Sequence, residues 1–152
     1  MLSFYEDIEL IDSFASGEAA IHGMKILPPS KMPDVILMDI ELPKISGIET
    51  TEIFRELYPE VEIMMLTVFE DEVKIFQAIQ AGASGYMLKD EHPDAIVEAI
   101  RELRNGGAPM SQSVAKKVLL LISGSLPPLI PAIAIGFLAS AITSTWEPKS
   151  NF

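Results

Sequence analysis

The chain has 152 residues, 49% of them apolar, which suits one domain with a real core and argues against wholesale disorder. It has no cysteine, which excludes disulfides and thiolate metal sites. Its net charge of −11 falls entirely before residue 118, because Glu147 and Lys149 cancel; so acidic a domain repels phosphate backbones and is not built to bind nucleic acid.

In chain order, residues 8–14, "IELIDSF", alternate partway and are expected to form a strand. Residues 17–26, "GEAAIHGMKI", are expected to form a helix with Gly23 inside it. "PDVILM" at 33–38 is an apolar run that stops at Asp39, with Pro43 and Gly47 as punctuation. Residues 48–57 place Ile48, Ile53, Phe54 and Leu57 on one helical side and end before Pro59. "VEIMMLTVF" at 61–69 is a second near-continuous apolar run, as expected of a strand covered on both faces. In the helix expected over 70–81, Glu70, Asp71 and Glu72 crowd the start, where the dipole favours anions. Val73, Phe76 and Ile79 form its stripe, and Gly82 closes it. "GYMLK" at 85–89 is a third strand-like run. Residues 93–104 open on Pro93, carry Ile96, Ala99, Ile100 and Leu103 on one side, and stop at Gly106-Gly107. "APMSQSVAKKVLLLIS" is expected to begin another helix.

Alternating strands and helices at this spacing predict an open α/β parallel sheet. Ligands bind such sheets beyond the carboxyl ends of the strands, where the sequence puts Asp39, Thr67 and Lys89. A carboxylate can act as nucleophile, and a hydroxyl and an ammonium can hold the oxygens of a transferred phosphoryl group. Taken singly, each has an ordinary explanation: a turn aspartate, a β-forming threonine, a solvated lysine. Three of them at three successive strand ends point to a site. His22 and His92 have no ligand-spaced neighbours and read as surface residues, and Met64 and Met65 read as core filler.

On "PDVILMDIELPKISG", "MLTVF" and "AGASGYMLK", the chain resembles the receiver domain of two-component response regulators, over about residues 8–118. The continuation "GGAPMSQSVAKKV" is similar to the NarL/LuxR-type subfamily. The resemblance implies a flavodoxin-like, doubly wound sheet. It implies that Asp39 accepts phosphate from a sensor histidine kinase, that Thr67 and Tyr86 form the switch pair, and that Lys89 and Thr67 contact the phosphoryl group. It implies Mg²⁺ held in part by Asp39 and the backbone carbonyl of Glu41. Leu42 stands where the family often has methionine, a change that conserves volume. The implied role is signalling in the cytoplasm rather than enzymatic turnover, with transcription as the family's output and a possible homodimer through the family's helix 4–strand 5–helix 5 face. That face corresponds here to 70–81, 85–89 and 93–104.

Two departures accompany the resemblance. The family supplies much of its Mg²⁺ site from adjacent acidic residues at the end of a first strand. Two strands, two helices and short loops consume roughly 40 positions ahead of Asp39, so that pair falls at or before residue 1. Strand 1 and most of helix 1 are therefore expected to be missing, with residues 1–7 a remnant of helix 1. A rival alignment makes "LSFY" the first strand. Losing four or five buried aliphatic residues forfeits on the order of 6–15 kcal/mol. A typical domain has only ~5–15 kcal/mol of stability, so marginal folding and impaired phosphorylation are expected.

The second departure is the tail, 119–152, which has no helix-turn-helix motif. Residues 118–146 carry no charge, and about 20 apolar residues can cross a bilayer, although Pro127, Pro128 and Pro131 interrupt them. The tail stands as a fragment or frame-shifted end, as a membrane-associating segment, or as a rescue strand in which "AIAIGFL", 132–138, fills the place of strand 1. Alternative functions are a non-phosphorylatable module for binding or dimerisation, and a haloacid-dehalogenase-like phosphatase. The latter needs a second aspartate where Glu41 stands.

Overall fold

A computed structural model describes residues 5–124. The tail from 125 onward, including 132–138 and most of 118–146, and residues 1–4, including most of "LSFY", lie outside the described residues. The elements are α1 (Gly17–Ile26), a 3₁₀ turn (Pro29–Lys31), β1 (Val35–Met38), α2 (Gly47–Leu57), β2 (Glu62–Thr67), α3 (Glu72–Gln80), β3 (Gly85–Leu88), α4 (Pro93–Arg104) and α5 (Gln112–Ser123).

Each of α1 to α4 starts where a side chain satisfies an orphan backbone N–H. Ser16 accepts from Ala19 N at 3.1 Å. Ser46 and Glu49 form a reciprocal capping box at the start of α2. Asp71 accepts from Lys74 N at 3.0 Å, so α3 begins at Glu72 and leaves Glu70 and Asp71 ahead of it. His92 accepts from Asp94 N through Nδ1 at 3.2 Å; it is exposed, as expected, but it also caps α4.

The three strands are parallel in the order β1-β2-β3, with Met38 opposite Met65 and Thr67 opposite Leu88. Alternation sorts their side chains onto two faces. Met64 and Met87 pack with Ile96, Ala99 and Leu103 of α4. Met38, Ile63, Met65, Tyr86 and Leu88 face the other way, toward Ile48 and Phe54 of α2 and Ile75 of α3. The sheet is thus covered on both sides, as the apolar strand runs predict. Met64 and Met65 are fully buried core, as expected.

Residues 8–14 do not form a strand. A strand exists only against a hydrogen-bonded neighbour, and this segment has none among the described residues. It links Asp7, which is bound to Arg101 of α4, to α1 on the opposite face. Two helical stripes also differ from expectation. In α3 the buried residues are Ile75, Phe76 and Ala78, and Val73 is exposed, because α3 packs against α5 as well as α2. In α2, Leu57 is exposed while Thr50 and Thr51 are fully buried. Their hydroxyls donate to Ser46 O at 2.8 Å and Gly47 O at 2.7 Å, which removes the cost of burying them.

Candidate functional site

β1, β2 and β3 end side by side, and their last turns carry the candidate residues. Asp39 follows β1, Thr67 ends β2, and Lys89 follows β3. The Lys89 ammonium donates to Asp39 Oδ2 across the strand between them. The two side chains are 44% and 28% exposed, so an incoming group can reach the pair. Asp39 Oδ1 accepts from Glu41 N at 3.2 Å. Lys89 N donates to Thr67 O at 2.9 Å and ties the β2 and β3 ends together.

The loop after Asp39 folds back tightly. Ile40 O accepts from Leu42 N at 3.1 Å and from Gly47 N at 2.9 Å. Gly47 is required at its position by close approach, since a Cβ there would lie 1.8 Å from Asp39 O. Lys44 adopts a left-handed φ of 66° within the same loop. Glu41 is exposed at its edge.

Thr67 and Tyr86 lie deeper. Thr67 is fully buried, and its hydroxyl accepts from Phe69 N at 3.4 Å. Tyr86 is 1% exposed, and its hydroxyl donates to Phe69 O at 2.7 Å. Burial, with a smaller contribution from Asp71, pushes the phenol well above its ordinary pKa. The two side chains of the expected switch pair thus meet on the main chain of Phe69. Sequence inspection missed Phe69 because its role belongs to its backbone and not to its side chain. It also missed Lys117 of α5, which donates to Glu70 O immediately after this turn. An open depression lined by Glu70, Leu88, Asp90, Gln112 and Lys116 lies beside the site.

The donors available for a metal are few. Mg²⁺ demands six oxygens in near-octahedral geometry and usually takes one or two carboxylates. Here the Asp39 carboxylate already accepts an ammonium and an amide, and the Glu41 carbonyl is the other expected donor. Among the described residues no group of three or more His, Cys, Asp or Glu side chains could hold a metal ion. This donor set does not fit Mg²⁺ by itself. Also among the described residues, no helix is long and apolar enough to cross a membrane.

The family model for the response regulator receiver domain matches residues 1–101. The transcriptional regulatory protein LnrK of Bacillus subtilis is 34% identical over 119 residues, covering 78% of this chain and 52% of the relative. The uncharacterised transcriptional regulatory protein YxjL of the same organism is 39% identical over 109 residues, covering 71% and 50%. The chain thus spans about half the length of the curated relatives it matches. A LuxR-family response regulator from Aurantimonas superposes with a TM-score of 0.62 at 30% identity, covering 69% of this chain and 72% of that one. With three parallel strands ending at Asp39, Thr67 and Lys89, and with this match across two-thirds of its length, the chain belongs to the response regulator receiver-domain family, with NarL/LuxR-type regulators among its relatives.

Proposed function

We propose that this chain receives a phosphoryl group on Asp39 from a sensor histidine kinase and switches an output, transcription in its relatives, with the transfer impaired. The observation that carries the proposal is the Lys89–Asp39 pair at the open ends of β3 and β1. An Asp39 oxygen attacks the phosphorus of a phosphohistidine, the P–N bond breaks, and the products are an aspartyl phosphate and histidine. Lys89 exchanges its carboxylate partner for a phosphoryl oxygen, which keeps its charge paired. The added charge competes for the Thr67 hydroxyl and draws it from Phe69 N. Because Phe69 O holds Tyr86, that movement is transmitted to β3. Transfer is slow because Asp39 is the single carboxylate the proposed metal site has from the described residues.

A homodimer through the α3–β3–α4 face belongs to the same proposal. A second copy docking there meets α5, which packs against α3, and Met110, which bridges Tyr86. Dimer formation therefore requires α5 to shift.

The test is incubation of the full chain with acetyl phosphate and Mg²⁺, followed by intact-mass measurement. The expected result is a slow, substoichiometric, base-labile gain of one phosphoryl group that Asp39→Asn abolishes. A gain that survives Asp39→Asn overturns the assignment, and rapid stoichiometric labelling overturns the impairment. A second proposal, a non-phosphorylatable binding module, draws on the closed Lys89–Asp39 pair and the small donor set. Mg²⁺ titration separates the two: millimolar binding that shifts the Asp39 and Glu41 amides supports the switch, and no shift supports the module.

A further inference from the structure

Ser111 differs from the other helix starts. It is the N-cap of α5, yet its hydroxyl makes no bond to its own helix, unlike the caps of α1 to α4. The hydroxyl is committed to β3 instead. Residues 109–111 run along the outer side of that strand: Tyr86 N donates to Pro109 O at 2.9 Å, and Ser111 N donates to Tyr86 O at 3.0 Å. Parallel pairing continued by one step would bring the next outward amide, Leu88 N, to Ser111 O. That carbonyl is already taken, because α5 begins there and Ala115 N donates to it at 2.9 Å. Ser111 Oγ stands in for it and accepts from Leu88 N at 3.0 Å, while its own proton faces Met87 Sδ at 3.9 Å. Ser111 is 2% exposed and its bond to Leu88 is buried, so solvent does not replace the acceptor.

We propose that Ser111 is a positioning residue that holds the Lys89 ammonium against Asp39 and so sets the rate of phosphoryl uptake, an inference that rests on the reading of Asp39 as the acceptor. Leu88 and Lys89 are adjacent, and their amides are held from opposite sides. Leu88 N is held by Ser111 Oγ, and Lys89 N by Thr67 O at 2.9 Å. The peptide that launches the Lys89 side chain is thereby clamped between β2 and the start of α5. The clamp matters because β1 lies beyond β2, two strand spacings from β3, ~9–10 Å. The Lys89 and Asp39 side chains close that gap with little slack. Without the Ser111 hydroxyl, Leu88 N has no acceptor on the outer side, and the end of β3 turns to find one. Lys89 then loses its alignment although neither it nor Asp39 has changed. The same bond makes α5 a support of the site, since a displacement of α5 withdraws Ser111 from Leu88 and loosens Lys89.

The test uses the full chain with acetyl phosphate and Mg²⁺, at a temperature where circular dichroism shows every variant folded. Ser111→Ala should slow labelling at Asp39 by about 10-fold. In a Lys89→Ala background the same substitution should change the rate by less than about 2-fold, because the residue it acts through is gone. A serine that only supports the fold slows labelling by the same factor in both backgrounds. That result overturns the inference, as does an unchanged rate in Ser111→Ala alone. A second readout needs no phosphoryl transfer. The two Lys89 Cε protons should give separate NMR shifts in the parent, where the ammonium is held, and should merge in Ser111→Ala. Merged shifts in the parent, or separate shifts kept in Ser111→Ala, overturn the inference. A parent that takes no label at Asp39 overturns the reading of function instead, and the Lys89 signal then decides this inference by itself. If Ser111→Ala does not fold, Ser111→Cys, which fills the same space with a weak acceptor, supplies both readouts.

Discussion

Replacing Gly47 by alanine tests the packing that holds Asp39 in place. The new Cβ would lie 1.8 Å from Asp39 O, 2.7 Å from Asp39 C and 3.1 Å from Ile40 Cα. All three are backbone atoms, so no rotamer change relieves the contact. The Asp39–Ile40 segment and the start of α2 must separate, which stretches the Gly47 N to Ile40 O bond from 2.9 Å. Overpacking of this kind costs ~1–3 kcal/mol. The weakened hydrogen bond adds ~0.5–1.5 kcal/mol. Alanine recovers up to ~1 kcal/mol as the better helix former at the first position of α2. The net is a loss of about 0.5–4.5 kcal/mol, and at roughly 3–5 °C per kcal/mol the midpoint falls by about 2–22 °C. Urea and thermal unfolding followed by circular dichroism measure this directly. If Gly47→Ala is as stable as the parent or more so, helix propensity alone governs the position and the close approach to Asp39 is wrong. Because the displaced segment carries Asp39, the variant should also take up phosphoryl groups more slowly under conditions where it remains folded.

Other substitutions probe the surrounding structure. Tyr86→Phe removes the bond to Phe69 O and should cost ~1 kcal/mol at neutral pH. Since the Tyr86 phenol titrates higher folded than unfolded, its contribution is fully present below the unfolded pKa of ~10 and is lost as pH rises beyond it. Alkaline denaturation of the parent should therefore show a loss above pH ~10 that is smaller in Tyr86→Phe; equal slopes would contradict the burial of the phenol. Arg55 donates to Gly82 O, to Val61 O at 2.8 Å and to Ser84 Oγ, so Arg55→Ala should destabilise by ~2–3 kcal/mol in urea. Arg55→Lys should recover little of that, for want of the planar fork. Thr51→Val keeps the shape but removes the bond to Gly47 O, and should cost ~0.5–1.5 kcal/mol.

What could be read from the sequence was what depends on short-range chemistry. The bounds of α4 follow from Pro93 and the apolar stripe, and α1 forms over the expected residues. Gly23 sits inside α1 because Phe14 packs where a Cβ would otherwise be, a contact no local pattern announces. Asp39 and Lys89 were legible because an apolar strand that ends in a charge delivers that charge to the sheet's edge, and the two side chains do meet. Thr67 lay on the expected strand end, but its burial and its bond to Phe69 N depend on the fold of the turn that follows. The stripe of α3 was misassigned because positions 73, 76, 79 and 75, 78 satisfy the same helical spacing; the packing of α5, from 40 residues away, decides between them. Residues 8–14 alternated as a strand would, yet alternation does not reveal whether a neighbour is there to pair with.

The most direct measurement is to map the acyl phosphate. Phosphorylated full chain is reduced with borohydride, which converts a phosphoaspartate to homoserine, and then digested and sequenced by tandem mass spectrometry. The account predicts homoserine at position 39 alone, with less of it in Lys89→Ala. Homoserine at any other aspartate, or at none despite measured phosphoryl uptake, would contradict it.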